Sequence, residues 1–83
     1  MQITLKLFAS LGDNLPGHAK KNAAEIEVEN SISLNQLIDT YQVPRELAHL
    51  VLVNGIFYCE ADRDASLLKE GDTVAIWPPV AGG

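Results

Sequence analysis

The sequence predicts an α+β domain in which one main helix packs against one mixed sheet, in the order β-β-α-β-β-β, followed by a flexible C-terminal tail. Three observations predict it. Apolar and polar residues alternate through two early segments, a helix start signal with a helical apolar stripe comes next, and Asn54-Gly55 then joins two apolar runs. At 83 residues and 47% apolar content, the chain can fill the interface between one helix and one sheet. A chain this short leaves little for a deep active site of its own. The pattern divides it into a folded domain at 1–77 and an extended tail at 78–83.

Ile3, Leu5 and Leu7 alternate with Gln2, Thr4 and Lys6, the period of a half-buried strand. Gly12-Asp13-Asn14 and Pro16-Gly17 mark the next stretch as a loop. Ala24, Ile26 and Val28 then alternate with Glu25, Glu27 and Glu29, a second strand with an acidic outer face that would pair with the first as a hairpin. Such a row of acids suits an edge strand, where it discourages aggregation. Ser33 and Gln36 have the spacing of a capping box, and Leu34, Leu37, Ile38 and Tyr41 fall on one helical stripe. Pro44 ends that pattern and can open a short turn through Glu46 and Ala48.

Leu50-Val51-Leu52-Val53 and Ile56-Phe57-Tyr58-Cys59 flank Asn54-Gly55, whose two residues suit a type I′ turn because both central positions need positive φ. The loop from Asp62 to Asp72 leads to a last strand, Thr73 to Trp77. In the hairpin, Val51, Val53, Ile56 and Tyr58 share one face, and Leu50, Leu52, Phe57 and Cys59 the other. Both faces are apolar, and one helix covers only one of them. An uncovered apolar patch bordered by Phe57 and Trp77 is therefore expected, and such patches mark protein contacts.

Six Lys and Arg against eleven Asp and Glu give a net charge of −5. That excludes the basic stripe on which nucleic-acid binding depends and favours a basic protein partner. The polar-apolar alternation at the N-terminus is unlike a signal peptide, and no apolar run approaches the roughly 20 residues of a membrane span. One cysteine allows no internal disulfide. The expectation is a cytoplasmic protein.

Catalytic and metal-binding signals are weak by comparison. Cys59 stands in an apolar strand without a neighbouring base and is read as packing. His18 and His49 lack ligand spacing, so no metal site is expected. Asp62-Arg63-Asp64 begins like a calcium loop, but Leu67 stands where the turn needs Gly and Thr73 where a bidentate Glu belongs.

The tail carries the chemistry. Pro78 and Pro79 cannot donate to a sheet ladder, so pairing must stop after Trp77 and the chain must leave in extended geometry. Six residues from Pro78 can reach about 20 Å. Val80 and Ala81 are small or branched, and Gly82 and Gly83 have no side chain, so the end can enter a tunnel that a Cβ would block. A terminal glycine offers an unhindered carboxylate, which becomes electrophilic once joined to a leaving group such as AMP.

Val53-Asn54-Gly55, the stretch Leu68 to Ile76 and Pro78-Pro79-Val80-Ala81-Gly82-Gly83 together resemble the MoaD/ThiS sulfur-carrier family, whose fold is the ubiquitin-like β-grasp. The Pro-Pro-Val-x-Gly-Gly ending is similar to the molybdopterin synthase small subunit, and ThiS-like carriers typically lack it. The resemblance implies that Gly83 is adenylated and converted to a thiocarboxylate, that Gly82 permits entry, and that Pro78 and Pro79 aim the tail. It implies a carrier rather than an enzyme, with no bound cofactor and with ATP consumed by the activating partner. The implied partners are an E1-like adenylyltransferase of the MoeB/ThiF type and a MoaE-like large subunit of molybdopterin synthase. A sulfur donor such as a cysteine desulfurase or rhodanese completes the set. The readings left beside it are sulfur delivery to another acceptor (thiamine thiazole, an amino acid or tRNA), a ubiquitin-like protein modifier, and a binding module with an inert tail.

Overall fold

The computed structural model describes residues 1–79. Its strands are β1 (Gln2–Leu7), β2 (Ala23–Glu27), β3 (Leu50–Val53), β4 (Ile56–Phe57) and β5 (Thr73–Trp77), with helix α1 (Leu34–Thr40) between β2 and β3. Short 3-10 turns occupy Ala9–Asn14, Arg45–Leu47 and Glu60–Asp62. The sheet runs in the order β2-β1-β5-β3-β4. β1 and β5 are parallel and every other pairing is antiparallel, so the sheet is mixed as expected.

Local chemistry explains most of these elements. Ser33 Oγ accepts the Gln36 N–H at 3.1 Å, and Gln36 Oε1 accepts the Ser33 N–H at 2.9 Å, so both halves of the capping box form. Asn54 and Gly55 have φ of 52° and 85°, the two positive values of a type I′ turn. Asn54 also ties the hairpin to β5: its Oδ1 accepts the Thr73 N–H at 2.9 Å, and its Nδ2 donates to Asp72 Oδ1 at 2.9 Å.

The core lies between α1 and one face of the sheet. Leu34, Leu37 and Ile38 from the helix meet Ile3, Leu5, Leu7, Ala24, Ile26, Val51, Val74 and Ile76 from the strands. Glu25 and Glu27 are exposed on edge strand β2, as the alternation requires.

Four expectations need correction. The stretch after β1, read as a loop, contains a 3-10 turn that buries Leu11. The fourth strand ends at Phe57 rather than Cys59. The Tyr58 N–H still reaches the Val51 carbonyl at 3.0 Å, but the Tyr58 carbonyl accepts from Arg63 Nε at 3.3 Å, and the ladder stops there. Cys59 is accordingly exposed, with its thiol donating to Asp62 Oδ2 at 3.2 Å, and it packs in no core. Ile56, although it shares a face with Val51 and Val53, is 62% exposed, because the seven-residue helix does not extend over β4.

Candidate functional site

The site is built from the end of β5 and the sheet face turned away from α1. β5 is a central strand, bracketed by β1 and β3, so its last residue leaves the sheet from a fixed position. Residues that alternate with the core positions point to the outer face: Phe8 just past β1, Leu50 and Leu52 from β3, Phe57 from β4, and Ala75 and Trp77 from β5. The register aligns them, with Leu52 opposite both Phe57 and Ala75, and Leu50 opposite Trp77. Leu50 and Phe57 are 37% and 54% exposed, while Phe8, Leu52 and Trp77 are half-buried. The uncovered apolar face expected from the hairpin is present.

Trp77 does more than border this face. Its ring stacks on Phe8 with centroids 4.3 Å apart and planes within 2°. Its carbonyl accepts the His49 N–H at 3.1 Å, and the preceding Ile76 carbonyl accepts the Phe8 N–H at 3.1 Å. The chain leaves through Pro78, which is buried, and Pro79, which is exposed. Val80, Ala81, Gly82 and Gly83 lie outside the described residues.

Sequence reasoning missed Arg63, which holds the base of this exit. It is 3% exposed. Its guanidinium donates to three main-chain carbonyls: Ala48 at 2.7 Å, His49 at 3.3 Å and Tyr58 at 3.3 Å. Burial pulls its pKa below the ordinary arginine value, and the nearby Glu60 and Cys59 oppose that shift. Arg63 thereby joins the segment leading into β3 to the end of the hairpin, and one of its acceptors, His49, is the residue that bonds Trp77. The only signal in the sequence was a cation between two acids in a loop, a pattern that ordinarily marks a solvated surface.

His18 and His49 are exposed, and no cluster of three metal-ligating side chains exists among the described residues. In that same stretch no helix is long and apolar enough to cross a membrane. The arrangement presents an apolar platform beside a chain exit held by backbone bonds and the Phe8–Trp77 stack, which suits docking on a protein.

Phe57 tests the platform directly. Because its side chain is largely exposed, Phe57→Asp is expected to shift the melting temperature little and to weaken binding to a protein that docks on this face by about 2 kcal/mol, the scale of an aromatic anchor. Equal losses in a thermal melt and a pull-down would make Phe57 a structural residue instead.

The model of the ThiS family matches residues 7–83. Among solved structures, SAMP1 from Haloferax volcanii is 22% identical with a TM-score of 0.67, and both chains are covered in full. The thiamine biosynthesis protein ThiS from Geobacter metallireducens is 19% identical with a TM-score of 0.68, again over 100% of both chains. A chain from the complex of subunits 1 and 2 of the molybdopterin-converting factor of Helicobacter pylori is 20% identical with a TM-score of 0.58 over 100% of both. At these identities the likeness establishes the fold, the ubiquitin-like β-grasp. No curated protein matches the sequence significantly.

Proposed function

Because this chain belongs to the ThiS family of ubiquitin-like carriers, we propose that it is a sulfur carrier whose Gly83 carboxylate is adenylated and then converted to a thiocarboxylate. The observation that carries this reading is the placement of the chain exit. Pro78 and Pro79 leave a central strand beside an open apolar face, and the residues after them end in Gly82 and Gly83. The body supplies recognition and the terminus supplies the reacting group. In the first step a carboxylate oxygen attacks the α-phosphorus of ATP on an E1-like adenylyltransferase and pyrophosphate leaves. In the second, the terminal sulfur of a persulfide on a donor such as a cysteine desulfurase or rhodanese displaces AMP. A second thiol then reduces the acyl disulfide, releasing the thiocarboxylate and leaving a disulfide between that thiol and the donor cysteine.

The Pro-Pro-Val-x-Gly-Gly ending favours service as the small subunit of a molybdopterin synthase, with the tail entering a MoaE-like large subunit. The same activated glycine can instead form an isopeptide bond with a lysine, and the likeness to SAMP1, small archaeal modifier protein 1, favours that as the second reading. One experiment separates them. The chain is incubated with an E1-like enzyme, ATP and a sulfur donor, and its intact mass is measured. The expected gain is the difference between a sulfur and an oxygen atom, confined to the C-terminal peptide. Lysine-linked conjugates without that gain would establish the modifier, and an unaltered mass would remove both readings.

A further inference from the structure

Edge strand β2 is only partly closed along its outer rim. The Val28 N–H donates to the Met1 carbonyl at 2.9 Å and the Leu7 N–H to the Asn22 carbonyl at 3.0 Å. In an antiparallel ladder this phase turns the backbone groups of Ala24 and Ile26 toward β1 and those of Ala23, Glu25 and Glu27 outward. Two of these three are already engaged. Ala23 exchanges both backbone bonds with Lys20, and the Glu25 carbonyl lies 2.8 Å from His18 Nε2. Among the described residues nothing bonds to the outward N–H and carbonyl of Glu27.

A groove of about 410 Å³ lies beside this open stretch, between β2 and α1. Half-buried Val28 and Ile32 contribute its apolar surface, and Glu27, Glu29 and Asp39 its acids. Arg45 pairs with Asp39 at 2.7 Å in the one ion pair among the described residues, which leaves Glu27 and Glu29 as the uncompensated charges. Glu25 extends the acidic row along the strand.

We infer that this edge accepts an added strand, an extended basic segment of a partner protein that pairs with the backbone at Glu27. Alternate residues of that segment would lie over Val28 and Ile32, and its lysines or arginines along Glu25, Glu27 and Glu29. Charge selects this occupant. A second copy of the chain would set β2 against β2 and glutamate beside glutamate, which is destabilising, whereas a basic strand is attracted by the same row and by the net charge of −5. The surface is separated from β5 by β1, so the inference does not rest on the sulfur-carrier reading.

The test titrates the isotope-labelled full chain with a synthetic peptide of about ten alternating lysines and valines, a length suited to a strand. Saturable binding is expected, with amide shifts centred on β2 and α1 and slowed hydrogen exchange at the Glu27 N–H. Reversing two charges with Glu27→Lys and Glu29→Lys together should weaken binding about tenfold. Glu27→Pro removes the outward N–H at a position where an edge strand tolerates proline, and should weaken it comparably while thermal melting confirms the fold. Shifts centred on Phe57 and Trp77, binding insensitive to Glu27→Pro, or a concentration-dependent dimer of the free chain would each overturn the inference.

Discussion

A chain lacking Gly83 is expected to lose sulfur transfer by at least about a hundredfold while keeping the melting temperature of the intact chain. The first half follows from reach. Removing one residue withdraws the carboxylate by about 3.3 Å, and displacements near 1 Å can already cost about a hundredfold at a reacting centre. The second half follows from where the stability resides. The buried apolar residues run from Ile3 to Ile76, and the exit is held by Phe8 on Trp77 and by the His49 N–H on the Trp77 carbonyl. All of these contacts lie between residues 3 and 77. The measurement pairs a single-turnover sulfur-transfer assay with a thermal melt of the same sample. Full transfer by the shortened chain would show that the reacting group is not at Gly83.

Replacing Arg63 should be the most destabilising change at a charged residue. Arg63→Met removes a fork that satisfies three main-chain carbonyls, of which the Ala48 carbonyl is bonded within the buried interior. A buried polar group left without a partner costs about 1–3 kcal/mol, and two of the three acceptors are near enough to the surface for water to compensate in part. The expected loss is about 3 kcal/mol in urea unfolding, a large share of what so small a domain holds in reserve. Arg63→Lys should recover little, because a single ammonium cannot span three acceptors as the planar guanidinium does. A lysine variant with parental stability would mean that charge, and not the fork, matters. The same variants should widen the orientations of the exit, and so reduce sulfur transfer in chains that remain folded.

These two residues differ in how far the sequence announced them. Gly83 stands in a compact motif in which each residue type has a local reason on the proposed reading: proline stops the ladder and glycine would clear the path. Arg63 stands in a loop of alternating charges, and two of its three acceptors lie 14 and 15 residues away in the chain. Cys59 went the same way, because a four-residue apolar run reads as strand. The Arg63 contact to the Tyr58 carbonyl ends that strand two residues early. Ile56 looked like core by alternation, but whether an inward-facing side chain is covered depends on how far the helix reaches over the sheet.

What the sequence determined by itself was set by neighbours along the chain: strand periodicity, the Ser33–Gln36 capping box, the type I′ turn at Asn54-Gly55 and the acidic face of β2. These depend on backbone geometry over a few residues, where spacing and chemistry are read together. Tertiary structure alone decided the parallel pairing of β1 with β5, the Phe8–Trp77 stack, the burial of Arg63 and the outward-turned backbone at Glu27. Each of these depends on which surfaces meet after the chain has closed on itself. Spacing along the sequence carries no information about that meeting, because the partners are joined by the packing of the whole core rather than by the backbone between them.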